Sequence, residues 1–283
     1  MPSRSHPTQR QRRLGIELRK LREAAGMSAP EAGAAVNIKA YQVSHLEAGR
    51  VGVTPNRLRT LARNYGCADE ALIDALVAMS DERDKEWWEE YRGVLPDFFL
   101  DIAEIEWHAK QLRNALTSHI PGLLQTEDHA RAIFDMVIPE LPAEQVDARV
   151  AHRLQRCGVL DRKDPPAYDA IIHESALRMQ FGGRDVARAQ LKHLLDFGER
   201  DLVSLRVIPF EAGGFPGAGQ TVLYACAAVP PLDTVQLDTS YGSVFVDSEE
   251  QLANYRRLFS KMELCALDER ESRHFIHSIA QQI

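Results

Sequence analysis

The sequence predicts a multi-domain chain with two architectures: an all-α N-terminal domain of five short helices, then an α+β C-terminal domain with a small, mostly antiparallel sheet. Three observations predict it. Through about the first eighty positions, apolar residues recur at helical spacing between glycines that stop helices and Ser or Thr residues that cap them. Short runs rich in β-branched residues, bounded by Pro, Gly and Asp, appear after Arg162. Charge divides the same way: residues 1–66 hold twelve Arg/Lys against four Asp/Glu, a net +8, so in a chain of net −7 the remainder carries −15.

Residues 1–13 are rich in Ser, Pro and Gln and hold Arg4, Arg10, Arg12 and Arg13. They read as a flexible basic arm able to lie on phosphates or enter a minor groove, or equally as a disordered solubilising tail. Helix one follows, with Leu14, Leu18, Leu21 and Ala25 on one stripe, and Gly26 closes it. Ser28 is placed to cap helix two, which starts at Ala29 and tolerates Pro30 in its first turn. Ala32, Gly33 and Ala35 let a third helix cross closely, and Asn37 suits left-handed geometry at the turn. In helix three Val43 and Leu46 face the core, which leaves Lys39, Ala40, Tyr41, Gln42, Ser44 and His45 around the outer face and N-terminal end.

That arrangement is a helix-turn-helix, and the outer side chains suit a major groove. Gln bonds adenine bidentately, Lys reaches guanine O6 and N7, and Ser or His takes a base edge or a phosphate. Ser28, Arg50, Arg57, Arg12 and Arg13 complete the expected DNA-binding set. Two more helices close the domain at residues 14–80. One opens at Thr54-Pro55 and buries Leu58, Leu61, Ala62 and Tyr65 before Gly66; the other, Asp69 to Met79, carries Leu72, Ile73, Leu76 and Val77. A basic domain is what phosphate neutralisation requires; a protein-interaction module on the same scaffold is the alternative.

These residues resemble the Xre/lambda-repressor class of helix-turn-helix regulators, in Arg22, Gly26-Met27-Ser28 and Ser44-His45-Leu46-Glu47-Ala48-Gly49-Arg50. The resemblance implies a structural pair, Arg22 with Glu47, tying helix one to helix three. Ala29 stands where the class often has Gln.

Residues 81–117 read as a helical connector, charged and aromatic, divided by Pro96. Ile102, Ile105, Ala109 and Leu112 form its apolar face, expected to pack inside the C-terminal domain rather than in a separate dimer coil. Within residues 118–283, strands are expected at 168–172, 203–208, 221–225, 234–237 and 243–246. Helices are expected from Asp185 to Phe197, after Ser248 with Gln251, and after Asp268 with Glu271.

This half resembles the C-terminal domain of a large actinobacterial group of antitoxin-like Xre regulators. The resemblance rests on the run from Ile120-Pro121-Gly122 to Ala132, on Arg153-Leu154-Gln155-Arg156, on His173-Glu174-Ser175-Ala176-Leu177-Arg178, on Gln190-Leu191, and on Arg206-Val207-Ile208-Pro209-Phe210. It implies a transcription factor, often partnered with a small protein encoded beside it.

Enzymatic motifs fail on their details. Gly214 to Thr221 nearly spells a phosphate-binding loop, but Gln220 stands where the Lys must be, and a strand follows instead of a helix. His274 and His277 with Glu271 lack a second ligand cluster, and His173-Glu174-Ser175 is better read as a capped helix start after a strand. Four scattered cysteines, with no Cys-x-x-Cys spacing, suggest reduced thiols. With neither an apolar run of membrane-spanning length nor a signal peptide, a cytoplasmic protein is expected.

No catalytic residue, metal or cofactor is expected. The expected partners are double-stranded DNA, a second copy of the chain, and a small partner protein encoded nearby or a small-molecule effector, with no membrane. Two functions fit: a sequence-specific regulator, dimeric on a near-palindromic site and controlled through its C-terminal domain, or an antitoxin-like protein that mainly sequesters a small protein and autoregulates its operon.

Overall fold

The computed structural model describes residues 6–81, 86–239 and 242–283. The chain divides into two compact units, Met1–Glu89 with Ala228–Leu232 and Glu90–Ala227 with Asp233–Ile283.

The N-terminal unit holds five helices: α1 (Gln9–Ala24), α2 (Ala29–Ala35), α3 (Ala40–Glu47), α4 (Pro55–Asn64) and α5 (Glu70–Asp81). The first corrects the expected arm. Thr8 and Gln11 form a reciprocal capping box, with Gln11 N–H donating to Thr8 Oγ1 at 3.3 Å and Thr8 N–H to Gln11 Oε1 at 3.2 Å. The helix therefore starts five residues before Leu14, and residues 9–13 are helical. Arg4 lies outside the described residues. Leu18, Val43, Leu46, Leu58, Leu61, Ile73 and Leu76 build the core, while Ala25 is exposed, so the α1 stripe ends at Leu21.

Gly15 explains how α1 packs. A Cβ there would lie 2.4 Å from the Glu47 carbonyl oxygen and 2.7 Å from that of Leu46, so only glycine admits the α3 backbone this closely. Gly33 does the same for the α2–α3 turn, where a Cβ would meet the Ile38 carbonyl at 2.5 Å.

A 3₁₀ turn (Trp87–Tyr91) spans the boundary at Glu89, and the first α-helix of the C-terminal unit is α6 (Asp97–His108), for which Pro96 is the N-cap. β1 (Gln111–Leu116) follows, then α7 (Glu127–Phe134), α8 (Ala143–Cys157), β2 (Ala167–His173), α9 (Glu174–Arg178) and α10 (Arg184–Phe197). The remainder is β3 (Val203–Ile208), β4 (Val222–Cys226), β5 (Thr234–Thr239), β6 (Gly242–Val246), α11 (Glu249–Glu263) and α12 (Glu269–Gln282). The six strands form one mixed sheet in the order β3-β2-β1-β4-β5-β6. β1 pairs in parallel with β2, with Leu112 opposite Tyr168, and β2 in parallel with β3; the other three pairings are antiparallel.

β1 corrects the helical connector, whose residues 82–85 lie outside the described residues. The backbone turns extended at Ala109 (φ −66°, ψ 148°), so Leu112 belongs to the sheet instead of continuing the α6 face. The strand escapes detection because its polar side chains find partners inside the unit. Gln111 Nε2 donates to Asp169 at 2.7 Å, and Arg113 pairs with Glu263 at 2.5 Å over the Phe259 ring.

Both faces of the sheet are covered. Leu112, Tyr168, Ile172, Val207 and Leu223 pack with Leu191 and Leu194 of α10 and Ile276 and Ile279 of α12. Ala115, Ile171, Val222, Tyr224 and Val235 pack with Leu252, Phe259 and Met262 of α11. Alternate residues of one strand thus serve two cores, the period-two geometry of a buried sheet. All four cysteines are free thiols.

Candidate nucleic-acid interface

The sequence builds the α2–α3 motif from its ends inward. Ser28 caps α2 in a box with Glu31, whose carboxylate accepts from Ser28 N–H at 2.7 Å and from the Ser28 hydroxyl at 2.6 Å. That hydroxyl, expected at DNA, is engaged in the cap. Asn37 takes φ +56° at the turn, the left-handed conformation a short polar side chain tolerates.

Beneath the motif, Arg22 and Glu47 meet edge to edge. Nε lies 2.5 Å from Oε1 and Nη2 donates to Oε2 at 2.9 Å, while Nη1 donates to the Met27 carbonyl at 2.7 Å. One guanidinium thus fixes helix one to the end of α3 and to the turn before α2. The bond to Glu47 is the main cause raising the Arg22 pKa. Burial, then the Glu47 carboxylate, pushes the nearby Tyr65 phenol up to about 12.

The outer face of α3 carries the expected set. Tyr41 is 58% exposed and meets His45 edge-on at 5.9 Å. Ala40 is the first residue of the helix, and Ser44 donates back to its carbonyl at 3.3 Å. Gln42 Oε1 accepts from Lys39 N–H at 2.9 Å, so this side chain caps its own helix start. Lys39, Arg50 and Arg57 are exposed and form no ion pair among the described residues, whereas Arg59 is matched by Asp74 at 2.7 Å.

Arg12 and Arg13 require a correction, since both belong to α1 and not to an arm. Arg13 is 3% exposed and pairs with Glu17 at 3.3 Å, one helical turn on. A buried, neutralised guanidinium is not a phosphate contact. Arg12 is half-buried and donates to Gln9 Oε1 at 3.0 Å and to the Pro7 carbonyl. Of the features sequence reasoning missed, Gly15 had a visible signal: a glycine inside a helical pattern costs stability unless another backbone needs the space.

Elsewhere the motif-like segments resolve into structure. Gly214–Thr221 lies between a 3₁₀ turn (Phe210–Ala212) and β4, with no helix after it. His173 caps α9, its ring accepting from Ser175 N–H at 3.3 Å, and the Ser175 hydroxyl bonds the Thr117 carbonyl. His274 and His277 are exposed on α12, and no group of three metal-binding side chains occurs among the described residues. No helix among the described residues is long and apolar enough to cross a membrane.

The N-terminal unit is therefore a helix-turn-helix domain, the DNA-binding head of a regulator. A helix-turn-helix domain family matches residues 13–76. A second family, described as a domain of unknown function (DUF5753), matches residues 99–278, more than half of the chain, and the protein belongs to it. No curated protein and no solved structure gives a significant match.

Proposed function

We propose that the protein is a sequence-specific transcription regulator of the Xre type, in the actinobacterial antitoxin-like group. It reads duplex DNA through α3 as a homodimer on a near-palindromic site. The observation that carries this reading is the α3 face: Tyr41 and Lys39 stand exposed and His45 half-exposed in a unit of net positive charge, flanked by Arg50 and Arg57, which no carboxylate neutralises among the described residues. Arg50 and Arg57 serve phosphates, and the side chains of α3 with Lys39 at its start meet base edges. One such head covers a half-site, and a two-fold dimer doubles the contacts. The C-terminal unit is the regulated part, answering a ligand or a small partner protein in the cytoplasm.

The test begins with a duplex selected from random sequence. Lys39→Ala and Gln42→Ala each weaken binding to the selected duplex by about 1–3 kcal/mol and hardly alter binding to scrambled DNA, measured by fluorescence anisotropy at fixed salt. Equal losses on both duplexes reject the base-reading role.

A further inference from the structure

Within the C-terminal unit, α8 carries three arginines in inward positions, and only one is neutralised. Arg156 is held by Glu106 in a buried two-point pair, at 2.8 and 2.6 Å. Arg149 and Arg153, one helical turn apart, form no ion pair among the described residues, and the Nε of each is buried without a hydrogen-bond partner. Both lean on Phe134, with Arg153 Cζ 4.2 Å from the ring centroid and Arg149 Cζ 5.9 Å. Cation–π contact offsets part of the desolvation but leaves two like charges side by side. Burial lowers the pKa of both, that of Arg153 to about 9.

The surroundings are fixed in advance. Gln190, 1% exposed, accepts from Thr126 N–H at 2.8 Å and donates to the Leu124 carbonyl at 2.6 Å. Gln125 donates to the Ile120 carbonyl at 2.6 Å and accepts from Arg153 Nη1 at 2.6 Å. That contact occupies one arm of the Arg153 fork and leaves the Nε edge unmet. His129 is 1% exposed with neither ring nitrogen bonded, and His119 has a buried unbonded Nδ1; their rings flank Phe181 at 5.5 and 5.3 Å. The Arg153 charge lowers the pKa of both imidazoles, after desolvation. The run from Ile120 to Ala132 and the Arg153–Arg156 run, distant in sequence, thus meet around unmet donors.

We propose that this cluster is a binding site for a small organic oxyanion, a carboxylate or phosphate on an apolar body, received by the Nε edge of Arg153 with Arg149 and His129 beside it. Water satisfies donors but cannot neutralise the desolvated guanidinium of Arg153 with the half-buried one of Arg149 beside it; an oxyanion does both, and the arginine side edge matches two of its oxygens. Asp238, the free carboxylate that acts on Arg153, stands beyond ion-pair distance and accepts from Gln236 at 2.5 Å. Contact with His129, which is 1% exposed, requires a small ligand. The proposal rests on the regulatory reading only in naming the effector's chemistry, and DNA plays no part in its test.

The test is thermal unfolding of the full chain with benzoate, phenyl phosphate or inorganic phosphate, against sodium chloride at equal ionic strength. An aromatic oxyanion raises the Tm of the C-terminal unit saturably, by roughly 5 °C at a hundredfold excess over its Kd, and more than inorganic phosphate does. Arg153→Met removes that rise and lowers the ligand-free Tm far less than loss of a matched ion pair would, since the bond to Gln125 goes but so does an uncompensated charge; Arg153→Lys keeps part of the rise. The site is refuted if none of the three anions gives a saturable rise, if Arg153→Met retains it, or if Arg153→Met lowers the ligand-free Tm as loss of a structural pair would.

Discussion

Both units bury arginines, and they settle the charge differently. In the N-terminal unit the buried Arg13 and the nearly buried Arg22 are each met by a carboxylate, Glu17 (shared with Lys20) and Glu47, and the surplus cations stand outside. In the C-terminal unit Arg113 and Arg156 are matched by Glu263 and Glu106, but the surplus, Arg149 and Arg153, is half-buried with the Nε of each shut off from water. A matched buried pair is scaffold. An unmatched cation on the surface suits a polymeric anion, and one held in the interior suits a small anion.

The largest expected effect separates scaffold from site. Glu47→Ala strands Arg22, and Glu106→Ala strands Arg156, so each costs its own unit about 3–5 kcal/mol. Denaturant unfolding resolves the two, since Trp107 lies in one unit and Trp87 and Trp88 lie in the other. Arg153→Met, on the same scale, costs little, since the bond to Gln125 is lost together with an uncompensated charge. A loss as large as that of Glu106→Ala would place Arg153 in the scaffold and abolish the distinction.

Acid distinguishes the units next. His129 and His152 are fully buried in the C-terminal unit, and desolvation holds them down to about 4 and about 3. A histidine whose folded pKa lies below its unfolded value contributes stability above the unfolded pKa, near 6.5, and loses it as pH falls toward the folded value. The C-terminal unit therefore weakens from pH 6.5 downward, His129 alone accounting for about 3 kcal/mol by pH 4. The N-terminal unit has no buried histidine among its described residues and lacks this limb. His129→Leu flattens the dependence; an unchanged slope in that variant means the imidazole is not held neutral in the fold.

The N-terminal unit was legible because its signals are local. Ser28, Thr54, Gly26 and Asn37 each act on the backbone within a few residues, and Val43 and Leu46 face inward by helical period alone. Where a partner lies far along the chain, the reading fails. β1 is polar because Asp169 and Glu263 wait for it, and Arg13 resembles an arm residue until Glu17 is seen one turn away. Thr8 with Gln11 was a capping signature hidden in an arginine-rich stretch. The Arg149–Arg153 cluster was the least legible, because an unpaired charge is an absence, and no spacing records what is missing.

The smallest effect concerns the surplus on the outside. Arg50 and Arg57 are exposed and unmatched among the described residues, so on DNA each neutralises one phosphate and releases its counterion. Arg50→Gln or Arg57→Gln then lowers the slope of log Kd against log salt by about 1, equally on selected and scrambled duplex, without changing stability. Arg13→Gln behaves in the opposite way: it leaves the slope alone and destabilises the unit, since Glu17 keeps Lys20 at 2.8 Å but loses the buried one of its two cationic partners. The three slopes, taken over the same salt range, decide whether exposure or mere position near the N-terminus marks a phosphate contact. A slope that falls with Arg13→Gln but not with Arg50→Gln or Arg57→Gln would return the DNA contact to α1 and displace it from the flanks of α3.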